Sequence, residues 1–105
     1  MFVQFTWPYT DTIVELYQTK YCEPNNIALI AYTNDNECKE EFGIVSINPS
    51  ESLEKEYVAI KNWSENEGIL NVLIRKGIVS MPNYFIESGF VNIPVCKLLV
   101  ELPIL

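Results

Sequence analysis

The chain contains no histidine. It therefore has no imidazole to act as a general base near neutral pH, no Ser-His-Asp or Cys-His unit, and none of the commonest zinc and iron ligand sets. Positive charge is also scarce: seven Lys and Arg stand against fourteen Asp and Glu, for a net charge of −7 and a pI near 4.4. Nucleic-acid affinity comes largely from Lys and Arg displacing phosphate counterions, so this balance argues against direct binding to DNA, RNA or an anionic membrane. Long apolar runs are missing as well. The longest charge-free stretches, such as residues 24–34 and 77–86, fall well short of a bilayer span.

Cys22, Cys38 and Cys96 are odd in number and widely spaced, with no Cys-x-x-Cys pair, which argues against a disulfide framework and a metal cage. Cys96 lies in an apolar run and is expected in the core, while Cys22 and Cys38 sit in polar connections. There is no Gly-rich phosphate loop, Gly-x-Ser-x-Gly elbow or dinucleotide fingerprint. No cofactor is expected, and the chain reads as a non-enzyme. The first eight residues show no basic stretch followed by a sustained apolar core, so the expected location is the cytoplasm. The Asn62-Trp63-Ser64 acceptor triplet would then go unglycosylated.

What is present is enough apolar matter to fold: 49% of 105 residues, forming one expected domain over 1–105. Residues 12–20 are β-branched and aromatic, and residues 26–33 are apolar on both faces, as in a central strand. Residues 42–47 continue the pattern after a polar connection of hairpin composition at 34–40, and residues 57–60 restore it. Between these, Asn48-Pro49-Ser50-Glu51 has the form of a single capped helical turn.

The clearest local signal is Ser64-Glu65-Asn66-Glu67, a capping box followed by Ile69, Leu70, Val72, Leu73 and Ile74 at helical spacing. It predicts a helix over about 65–76, with Gly77 as its stop and with Leu70 and Leu73 in the core. Residues 90–102 read as one or two strands interrupted at Pro94. The expected fold is α+β: a mainly antiparallel sheet of about five strands with one principal helix packed on one face.

The charge is unevenly placed. Residues 35–67 hold nine acids against three bases, which accounts for all but one unit of the net charge. Such a surface either keeps a small protein soluble or attracts a basic protein partner. The candidate contact residues in this segment are Glu37, Glu40, Glu41, Glu51 and Glu54, together with Lys61, Trp63, Glu65 and Asn66 around the helix start. Lys61, Trp63 and Asn66 enter because no capping or turn role explains them. The large aromatics Phe2, Phe5, Trp7 and Tyr9 are either interface anchors or core, with core the expectation for most.

The stretch 57–68, then Lys76-Gly77-Ile78-Val79, then Ser88-Gly89-Phe90-Val91 with Pro94-Val95-Cys96-Lys97-Leu98, resembles a family of small acidic proteins carrying an uncharacterised domain, met on conjugative elements, plasmids and phages of gut bacteria. The resemblance is confined to residues 57–98 and implies no catalytic residue or cofactor. It implies an accessory protein of a bacterial mobile element. Three readings follow: an interaction protein that binds a protein partner through an acidic face, a small enzyme or ligand-binding domain using carboxylates and tyrosines in a cleft, or an inhibitor that mimics nucleic-acid charge toward a host defence protein.

Overall fold

Alternating apolar residues in the first half of the chain build an antiparallel meander. The computed structural model describes residues 2–35 and 38–105. Strands β1 (Val3–Thr6), β2 (Ile13–Lys20), β3 (Ile27–Asp35) and β4 (Cys38–Ile44) pair in chain order, so β2 and β3 are the central pair. On β2 and β3 one set of side chains, Val14, Leu16, Ile27, Leu29 and Ala31, enters the core. Strands β3 and β4 pair as far as Asp35 and Cys38, well into the connection expected at 34–40, of which residues 36 and 37 lie outside the described residues.

Strands β5 (Tyr57–Ala59), β6 (Tyr84–Ser88) and β7 (Val91–Lys97) form a second antiparallel sheet in the order β5-β7-β6. There are thus two sheets where one of about five strands was expected. Residues 45–47 join them: the Val45 amide donates to the Leu29 carbonyl, the Ile47 amide donates to the Ala59 carbonyl, and Ser46 bridges Ile60. Strand β7 passes through Pro94 without interruption. The Pro94 carbonyl accepts the Ile60 amide, so the missing N–H faces the side where β5 has already ended. The last residues complete an edge of the first sheet, with the Gln18 amide donating to the Pro103 carbonyl and the Leu105 amide to the Gln18 carbonyl.

The helix is shorter than its spacing predicts. A 3-10 turn covers Ser64–Asn66, and helix α1 begins only at Ile69 and ends at Arg75. Ser64 makes no capping bond and sits at φ 57, while Gly68 breaks the path at φ 89. Tertiary bonds hold the turn apart from the helix: the Asn66 amide nitrogen donates to the Ile44 carbonyl (2.7 Å) and the Trp7 indole to the Glu65 carbonyl (3.3 Å). The Leu70 amide, left free by this break, donates instead to Asn62 Oδ1 at 2.9 Å. At the other end the expected stop is present. The Gly77 amide reaches the Ile74 carbonyl and the Ile78 amide the Leu73 carbonyl, which is a Schellman closure around a residue at φ 71.

The turn expected at residues 48–51 is not helical. Asn48 faces the buried Asn26, whose amide donates to Asn48 Oδ1 and to the Glu51 carbonyl and whose oxygen accepts the Leu53 amide. That network shapes the loop in place of a capping box.

Helix α1 lies where the two sheets converge. Ile69 and Leu73 are fully buried against Phe5, Leu16, Val58 and Cys96, whereas Leu70 is half-buried at the margin. Ala59, Ile93 and Val95, on the opposite face of the second sheet, form a smaller cluster with Trp63, Ile86 and Val91. Leu73→Ala should therefore cost about 2–5 kcal/mol in chemical denaturation, and Leu70→Ala clearly less; equal losses would mean that the helix face is misassigned. Burial pushes the Cys96 thiol up to about 11, whereas Cys22 and Cys38 are exposed. A disulfide-exchange reagent should thus titrate two thiols in the native protein and the third only on unfolding, and three rapid thiols would contradict the packing.

Candidate functional site

Trp7 organises a surface groove built from segments far apart in sequence. It follows β1 in a tight loop in which its amide donates to the Thr12 carbonyl (2.8 Å) and its carbonyl accepts the Thr10 hydroxyl (3.2 Å). The indole stacks on Phe5 with ring centroids 6.1 Å apart and meets Phe42 edge-on at 5.0 Å. The outer end of the ring packs against Gly43, where a Cβ would come within 2.9 Å of Cη2, so a larger residue would have to displace the ring. Phe42 reaches this position because the register of β3 and β4 shifts between Ala31 and Tyr32, leaving Phe42 as the extra residue of a β-bulge.

These residues border a groove of about 400 Å³ lined by Trp7, Tyr9, Phe42, Gly43, Glu65 and Glu67. Its walls come from three distant segments: the β1–β2 loop, the end of β4 and the 3-10 turn. Tyr9 and Ser64, one on each side, hold positive φ values of 62 and 57, a strain that packing must offset. Tyr9 is 86% exposed and Phe42 40%, a large apolar presence for the surface of a small domain. Lys61 Nζ pairs with Glu65 at 2.6 Å, four residues along, and this hydrogen bond holds the Glu65 carboxyl below its ordinary value. Among the described residues, Glu67 has no such cation.

The predicted contact residues are distributed unequally about this groove. Glu65 lines it, with Lys61 as its ion-pair partner. Trp63 instead packs half-buried against the second cluster. Asn66 is fully buried, with its nitrogen on Ile44 and its oxygen unpartnered, which removes it from any contact surface and makes it a tether of the turn. Glu37 lies outside the described residues.

The remaining acids do not share one face. Glu40 and Glu41 are opposite Thr33 and Tyr32, and neighbours along a strand point to opposite sides. Glu51 is fixed to Asn26 at the far end of β3, about 20 Å away at the rise of a strand. Together with Glu54 it stands close enough to Tyr84 to help burial raise that phenol above its ordinary range.

A separate group of polar side chains lies on the outer face of the first sheet. The Tyr17 hydroxyl donates to the buried Glu15 carboxylate (3.1 Å), Gln4 donates to the other carboxylate oxygen (3.4 Å), and Lys39 donates to Tyr17 while resting 4.2 Å from its ring centre. Phe2 and Tyr32 flank the Tyr17 ring. This arrangement ties β4 to β2 across β3. Among the described residues no group of three or more metal-ligating side chains comes together, and no helix is long and apolar enough to cross a membrane.

Of the groove's two acids, sequence reasoning named Glu65 as a contact candidate and read Glu67 only as a helix cap, while Trp7 and Tyr9 belong to the aromatic group noted there. Phe42 was missed, because only the bulge brings it to the groove. Compared with protein-family models, curated proteins and solved structures, the chain matches none.

The Glu65 carboxyl is lowered in the folded state, so its pairing contributes above the ordinary carboxylate range and is lost as pH falls through the folded value. In a carbon-detected NMR titration, Lys61→Met should raise the Glu65 titration midpoint toward the ordinary range, with the bond to its own backbone still holding it down; an unchanged midpoint would show that the pair does not persist in solution.

Proposed function

We propose that this chain is a non-enzymatic interaction protein that holds a protein partner at the groove between Tyr9, Phe42 and the 64–67 turn. The supporting observation is the coincidence, around the buried Trp7, of exposed aromatic rings, two acidic residues and two strained backbone positions. Exposed aromatics supply contact area at low entropic cost, and strain concentrates where binding sites are preorganised. The other acids, Glu40, Glu41, Glu51 and Glu54, act at longer range in this reading. They raise the encounter rate of a basic partner without touching it. The setting implied by the resemblance of residues 57–98, a bacterial mobile element, fits an accessory protein of this kind. Charge mimicry of nucleic acid has less support, since the acids are divided between the two ends of β3.

The test is affinity capture and cross-linking with the full chain, comparing the native sequence with Tyr9→Ala plus Phe42→Ser, and separately with Glu40, Glu41, Glu51 and Glu54 all changed to Gln. The groove variant should lose the captured partner at low and high salt, while the acidic variant should lose capture mainly through slower association. Equal recovery by all three would refute the proposal.

A further inference from the structure

We infer that the occupant of the groove is the side chain of an arginine on the partner protein, an inference that rests on the interaction reading above. Around the buried Trp7 the groove offers the exposed rings of Tyr9 and Phe42 with the acidic residues Glu65 and Glu67 beside them, and no Lys or Arg is among its lining residues. A guanidinium is the side-chain group that fits both features together. Its flat, weakly hydrated face stacks on aromatic rings, and its fork of N–H donors matches a carboxylate. Trp7 is immobilised by its bond to the Glu65 carbonyl and by its packing against Gly43, so the ring is held in place before any ligand arrives.

The two carboxylates are not equivalent. Glu65 is already neutralised by Lys61, whereas Glu67 has no ion-pair partner among the described residues. Glu67 is therefore the group that pairs with the incoming cation, and Tyr9, the most exposed of the three rings, is the one that closes over it. An acidic ligand would be repelled by the groove. A purely aliphatic one would leave the Glu67 charge beside an apolar side chain without compensation. A lysine ammonium would satisfy the charge but not the flat aromatic surface, and being more strongly hydrated it would enter at greater cost.

The experiment uses the isotope-labelled full chain and four capped pentapeptides, Ala-Leu-X-Leu-Ala with arginine, citrulline, lysine or norleucine at X, followed by free L-arginine. The arginine peptide should shift the Trp7 indole resonance in a saturable way. Citrulline, which keeps the shape and loses the charge, should bind about tenfold more weakly, as expected on losing a charged hydrogen bond. Glu67→Gln and Tyr9→Ala should each lose binding of similar size, while Glu101→Gln should leave it unchanged; matching melting temperatures establish that all three fold.

Equal binding of arginine and citrulline peptides, or shifts confined to residues outside the groove, would overturn the inference. So would free arginine binding as tightly as the peptide, which would point to a metabolite site. If the arginine peptide does not bind but the Tyr9 and Phe42 variant still loses its captured partner, the arginine assignment fails and the interaction reading stands. If that variant also keeps its partner, both fail.

Discussion

Residues 45–47 are hydrogen-bonded to both sheets, and the rest of the molecule is arranged around that junction. Val45 gives its amide to Leu29 in the first sheet, and its carbonyl accepts the Lys61 amide. Ser46 serves β3 from its side chain, where its hydroxyl accepts the Leu29 amide at 2.9 Å and shares a second bond with Tyr21. Ile47 then pairs with Ala59 at the end of β5. With Val45 and Ile60 wholly buried, the junction cannot open without exposing both apolar faces and unpaired backbone groups. It joins the two sheets, and Ile69 and Leu73 pack with residues of both. A helix of only seven residues would not be stable alone and depends on this enclosure.

The same junction positions the groove. Ile44, the last residue of β4, presents its carbonyl to Asn66, and the turn carrying Glu65 and Glu67 is thereby fixed against the bulge that carries Phe42. The polar lattice of Glu15, Tyr17 and Lys39 acts on the other side of the first sheet. It lets that face remain uncovered by a helix, because the side chains bury one another.

Local pattern sufficed where local pattern governed. Strand β3 was legible because its residues are apolar on both faces, β2 because its residues are β-branched and aromatic, and Gly77 because a Schellman closure needs only nearby amides. Reading failed where partners distant in sequence decided the outcome. The capping box of Ser64 and Glu67 has the right letters, but Ile44 and Trp7 bind the turn first, and the helix is capped by Asn62 instead. Strand β6 escaped notice because Tyr84 and Phe85 are largely exposed at a sheet edge, where burial imposes no alternation. Pro94 looked like an interruption only because the sequence does not show which neighbour its missing N–H would face. In the candidate site, the carboxylates were visible as a charge excess. Their separation by the length of β3 was not, since it depends on where the Asn26 network pins the loop containing Glu51.

The bond from the Trp7 indole to the Glu65 carbonyl spans 58 residues of sequence. A groove assembled from such separated segments has no existence in a partly folded chain. Occupancy and global folding are then thermodynamically linked: any ligand that fills the groove binds only the native state, and stabilises the whole domain by about 2.7 kcal/mol at a hundred times its dissociation constant. The resistance of both sheets to unfolding, measured anywhere in the molecule, becomes a gauge of what sits beside Trp7.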